Sequence, residues 1–118
     1  MESSYRLRYL PLFYEDASEV VSYIRDVLQN QAAAKKLIDD VEKAILDRLP
    51  SAESFMEYQS EKERSNPYYT IRVRNFTVFY VVLHEGESKV MEVRRLLYSR
   101  RDFNKLDLND ENNRDQGK

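Results

Sequence analysis

The sequence contains no cysteine. Disulfides, thiolate nucleophiles and zinc–thiolate sites are therefore excluded, and a reducing compartment suits the chain. The only histidine is His84, which leaves too few soft ligands for a transition-metal site, so neither metal nor cofactor is expected. Two glycines cannot build a phosphate-cradling loop. No apolar run approaches the roughly 20 residues of a membrane span. The start, Met1-Glu2-Ser3-Ser4-Tyr5-Arg6, lacks the apolar core of a secretory signal, and the expectation is a cytoplasmic protein with no membrane contact. An excess of one charge is also missing, because 19 basic against 21 acidic residues give a formal net charge of -2. That balance does not mark a nucleic-acid binder by itself, although a local basic patch acts through its own field.

What is present suits one domain. The 118 residues are 42 % apolar, enough for a single core. Residues 1–106 are read as that domain. Residues 107–118 hold one leucine, Leu108, among Asn, Asp and Glu, and are expected to stay a disordered tail.

Tyr5 to Leu10 alternates as a short strand, ended by Pro11, which pre-sets the first turn of a helix. Phe13, Ala17, Val20, Val21, Ile24, Val27 and Leu28 recur at helical spacing and predict a helix over 12–28. Glu15 and Asp16 fall early in it, where carboxylates suit the positive end of the dipole. Asn30 is the expected stop. Ala34, Leu37, Ile38, Val41, Ala44, Ile45 and Leu49 predict a second helix over 31–49, closed by Pro50. So short a connection makes the pair an antiparallel hairpin. Residues 51–67 read as an ordered loop pinned by Phe55, Met56 and Tyr58.

Three strands follow. Tyr69, Ile71 and Val73 alternate with Thr70, Arg72 and Arg74. Phe76 to Leu83 is apolar almost throughout, the mark of a strand buried on both faces. Val90 to Tyr98 is the third, interrupted by Glu92, Arg94 and Arg95. Turns fall at Asn75 and at His84-Glu85-Gly86-Glu87. The order β-α-α-β-β-β predicts a two-layer α+β domain with an antiparallel sheet and both helices on one face. The first strand joins at an edge or between neighbours; the pattern leaves both open.

Tyr69, Ile71, Val73, Asn75, Phe76, Val78 and Tyr80 follow the helical hairpin. Val90, Val93, Arg94, Leu96, Arg100, Arg101 and Asp102 come after them. This series resembles the RelE/ParE superfamily of toxins from bacterial type II toxin–antitoxin systems, including the plasmid-stabilisation toxins. The likeness covers roughly 5–103. It implies a small sheet with two helices on one face, neutralisation by a cognate antitoxin in a hetero-oligomer, and one of two targets. RelE-like members cleave mRNA on the ribosome as metal-independent interferases. ParE-like members inhibit DNA gyrase. The paired long helices and the Arg-Arg-Asp end favour the ParE side. Thr77 stands where many relatives carry an arginine and Tyr98 where many carry a histidine, and both departures weigh against nuclease chemistry. A non-toxic binding module of the same fold is a third reading.

The candidate site gathers arginines on the sheet face that the helices leave open. Arg72, Arg95, Tyr98, Arg100 and Arg101 form the proposed catalytic set, with Arg74, Arg94 and Lys105 as target or RNA contacts. Guanidiniums grip phosphate oxygens bidentately and stabilise charge building on phosphorus. Tyr98 would orient a nucleophile or act as base beside them; the plainer reading is a packed tyrosine at a strand end. Glu92 shares parity with Arg94, so an ion pair competes with any catalytic use. His84 reads as a surface turn residue. A partner peptide calls for an apolar strip beside the hairpin.

Overall fold

The computed structural model describes residues 5–58 and 66–99. Strand β1 spans Tyr5–Tyr9, helix α1 Pro11–Ser22, helix α2 Gln31–Arg48, and strands β2, β3 and β4 span Tyr69–Val73, Phe76–Glu85 and Ser88–Tyr98. The sheet order is β1-β4-β3-β2. β2, β3 and β4 form the expected antiparallel meander. β1 takes the edge beside β4 and pairs with it in parallel, so the sheet is mixed rather than wholly antiparallel. Chain direction explains this. α1 carries on in the direction of β1, and α2 alone brings the chain back. β2 therefore starts out parallel to β1, and so, two reversals later, does β4.

α1 begins on Pro11 without a side-chain cap, consistent with a residue that brings no amide hydrogen to satisfy. It ends in a π-helical turn, Tyr23–Val27, closed by Leu28 N–H to the Tyr23 carbonyl at 3.1 Å. The wider turn and the overshoot past the sheet leave Val27 64 % and Leu28 56 % exposed, although spacing had placed both in the core stripe. The left-handed residue between the helices is Gln29, at φ 54°, not Asn30. Asn30 instead caps α2, its side chain accepting from the Ala33 amide at 3.0 Å, as a good N-cap does. Leu49–Ser51 is a single 3-10 turn around Pro50.

The main core lies between hairpin and sheet. Phe13, Leu37, Val41 and Ile45 meet Ile71, Val78, Tyr80 and Met91 there. The opposite face is not bare. Tyr68, Phe79, Val81 and Leu97 form a second cluster, with Tyr58 and Leu83 against it. The cover is clasped by Tyr58 N–H donating to the Tyr68 carbonyl at 2.6 Å. β3 is accordingly buried on both sides from Thr77 to Val82, as its unbroken apolar run requires. No described helix is long and apolar enough to cross a membrane.

Ile45 is wholly buried and its neighbour Leu46 is 48 % exposed. Ile45→Ala should cost about 2–5 kcal/mol, and Leu46→Ala less than about 1 kcal/mol. Urea unfolding of the two variants checks the placement of the helix.

Candidate functional site: a groove at the open end of the sheet

β4 outruns β1. The two pair only as far as Tyr9 opposite Val93, and Leu10 N–H makes the last edge bond, to the Val93 carbonyl at 2.9 Å. Beyond that point α1 takes the place of a neighbouring strand. Asp16 is the link. Its carboxylate accepts from Arg95 Nε at 2.7 Å and Nη2 at 3.0 Å, and from the Leu96 amide at 3.0 Å. Both side chains are largely buried, at 9 % for Asp16 and 16 % for Arg95. Asp16 lies on the inner stripe of α1, so its role is this strap and not complementing the helix dipole, and α1 has no acidic residue in its first turn.

A β-bulge sets which side chains reach this end. Arg95 pairs with Phe79 and Val93 with Tyr80, which leaves Arg94 as the extra residue. Before the bulge the odd residues Met91 and Val93 face the helices; after it Leu96 does. Tyr98 therefore turns toward the hairpin side, its ring 5.7 Å from that of Phe76. The expected site had Tyr98 beside the arginines of the far face. The doublets Arg94-Arg95 and Leu96-Leu97 were the sequence signal for the inserted residue.

Among the described residues the guanidiniums do not converge. Arg94 is 1 % exposed and lies in the second cluster, where Nε donates to Glu92 at 2.8 Å and its charge sits over the Tyr68 ring. Burial opposes its charged form, but the Tyr68 hydroxyl and Glu92 outweigh it and raise its pKa. Glu92, fully buried, also takes Arg8 at 2.9 Å, so the ion-pair reading of Glu92 holds. Arg95 is strapped to Asp16. Arg74 has a left-handed backbone, φ 55°, and swings to the helix side, where Nη2 and Nε meet the Asp40 carboxylate at 2.7 and 2.9 Å. Arg72 remains exposed on the far face, its Nε donating to the Arg74 carbonyl. Arg100, Arg101 and Lys105, and the tail 107–118, lie outside the described residues. His84 sits at the surface against Glu53, 3.0 Å away. Among the described residues no group of three side chains is arranged to hold a metal ion.

What the fold does assemble is a groove of about 780 Å³ at the sheet end. Phe76, Leu96 and Tyr98 lie at its sheet end, Val20 and Ile24 on the α1 wall and Leu37 on the α2 wall. Tyr23, Leu28 and Tyr98 are half exposed around it. Such a volume and lining suit an apolar partner segment more than a reacting phosphate. Sequence reasoning foresaw an apolar strip by the hairpin but not Asp16, Glu19 or Lys36 at its margins. An acidic residue inside the Phe13–Val20 stripe was the available clue.

A helical hairpin packed on one face of a four-stranded mixed sheet is the two-layer build that the RelE/ParE resemblance implies. The family model described as the ParE toxin of the type II toxin–antitoxin system parDE matches residues 7–103, and the chain belongs to that family. A solved chain of the chromosomal ParDE TA system from P. aeruginosa is similar in fold. Its TM-score is 0.60 at 14 % identity, over 80 % of this chain and 95 % of that one. No curated protein sequence matches the chain.

Asp16→Asn keeps an acceptor for Leu96 but takes the carboxylate charge away from the largely buried Arg95. It should destabilise the fold by about 3 kcal/mol, read by thermal or urea unfolding. Asp40 is held below the ordinary carboxylate pKa, first by its hydrogen bond to Arg74 and then by Lys36. Stability from this contact is present above the unfolded pKa and fades as pH falls through the folded one. In Arg74→Ala, carbon-13 titration should show the Asp40 pKa moving up toward its usual value.

Proposed function

We propose that this chain is the toxin of a type II toxin–antitoxin pair. Free, it arrests growth by binding a macromolecular target in the cytoplasm, with DNA gyrase as the target class. A cognate antitoxin neutralises it by seating an apolar segment in the groove. The groove is the observation that carries this reading. It is built by the fold's own strap, rimmed by half-exposed Tyr23, Leu28 and Tyr98, and of a size to take a peptide face. The dispersal of the described guanidiniums supports binding over catalysis. Arg74, Arg94 and Arg95 are each committed to a carboxylate, and a phosphate would have to displace it. The far face, where RNA chemistry was expected, is instead filled by Tyr58, Tyr68, Phe79 and Leu97.

One observation favours the second reading, a ribosome-dependent mRNA endonuclease. Arg72 stays exposed on that far face, on the strand whose hairpin tip is tied to the end of β4 through Ser99 N–H and the Asn75 carbonyl, 2.8 Å apart. Arg100 and Arg101 follow Ser99 in sequence and carry guanidiniums suited to phosphate, and under either reading they are proposed to touch the target.

Induced expression in a bacterial host separates the readings. Growth arrest with intact transcripts and a DNA-damage response is the expected result. Arrest with cleaved transcripts would select the nuclease, and harmless soluble protein would leave a non-toxic binding module. Arg100→Ala combined with Arg101→Ala should lower toxicity by at least tenfold in the inducer needed for arrest, roughly the effect of losing one charged contact. Undiminished toxicity would remove that pair from the target contact.

A further inference from the structure

The groove has walls of opposite charge. On the α1 side Glu19 is exposed, and no described cation meets its carboxylate. The acid next to it along the helix, Asp16, is already neutralised by Arg95. On the α2 side Lys36 and Arg74 border the groove. They share a single carboxylate, Asp40, which Arg74 holds at 2.7 Å and Lys36 only at 3.7 Å. Two cations against one anion leave that wall with a net positive charge. The floor between the walls is apolar, formed by Phe76, Leu96 and Tyr98 at the sheet end.

We propose that this polarity selects the occupant. The groove takes an amphipathic segment whose apolar stripe faces the floor, with a basic flank on the Glu19 wall and an acidic flank on the Lys36 wall. Glu19 and Lys36 are then specificity residues. The floor supplies contact area common to any apolar stripe, and the walls exclude segments with like charge on both flanks. Because the two flanks differ, the segment also lies in one direction along the groove. This rests on the antitoxin reading of the groove and adds the chemistry of the partner to it. Both side chains are at the rim, so the discrimination is modest and weakens with salt.

The test uses the full chain and three synthetic amphipathic peptides with the same leucine stripe. One carries lysine on one flank and glutamate on the other, the second lysine on both, the third glutamate on both. The wild-type chain should bind the mixed peptide about fivefold more tightly than either uniform one. Glu19→Lys, with both walls basic, should prefer the all-glutamate peptide. Lys36→Glu, with both walls acidic, should prefer the all-lysine peptide. Both positions are exposed, so the variants should fold, and circular dichroism confirms it. An unchanged ranking in the two variants overturns the proposal. Val20→Asp tells that failure from a failure of the groove reading. If it weakens all three peptides alike while the ranking ignores the walls, the groove binds and its polarity does not matter. If it weakens none, the groove is not the docking site and both readings fall.

Discussion

The placement of α1 depends on one carboxylate. β4 carries five residues past the end of its pairing with β1, and an open strand edge there would expose backbone donors and acceptors to water or to other chains. Asp16 meets the Leu96 amide as a neighbouring strand would, and it meets Arg95 at the same time. A single side chain thereby satisfies an edge amide and a partly buried guanidinium. It also fixes the helix along the edge of the sheet instead of squarely over it. The gap between the displaced helix, α2 and the sheet end is the groove. A fully apolar residue at 16 would let α1 slide, and the walls would lose their fixed spacing.

The other edge is closed by different means. Tyr68 and Thr70 present carbonyls outward from the start of β2. The first accepts from the Tyr58 amide and the second from Arg48, whose guanidinium lies 3.5 Å above the Phe55 ring. Arg48 also donates to the Tyr80 hydroxyl, which in turn donates to the Ala52 carbonyl. The segment after α2 is thus pinned from inside, and its Tyr58 covers the far face. The groove, by contrast, stays open.

Much of this was legible in the sequence. The strand and helix periods, both hairpin turns, the double burial of β3 and the order of elements follow from local chemistry, and they are right to within a few residues. The direction of β1 was not legible, because it depends on which way the chain leaves β1 over a distance that periodicity does not see. Among the described residues the expected arginine cluster does not form, because Arg74, Arg94 and Arg95 each meet a carboxylate. The face of Tyr98 was hidden for a separate reason. Alternation assigns faces only while pairing is regular, and one inserted residue at Arg94 reverses every assignment after it. Tyr98 then joins the groove, and Arg95 swings to a helix that the strand pattern cannot report on. Charges also seek partners across the fold. Asp16 and Asp40 each sit where pattern alone reads a dipole-facing or solvated acid, and each holds an arginine that had looked free; Glu92 pairs with Arg94 as their shared parity suggested.

Hydrogen exchange at the Leu96 amide tests the strap most directly. This amide lies on the unpaired edge of β4, while its neighbour Leu97 points toward β3. Leu96 should exchange as slowly as Leu97 in the intact chain and lose protection selectively in Asp16→Ala, with Leu97 little changed. Fast exchange at Leu96 in the intact chain, at the rate of an open edge, would contradict the strap.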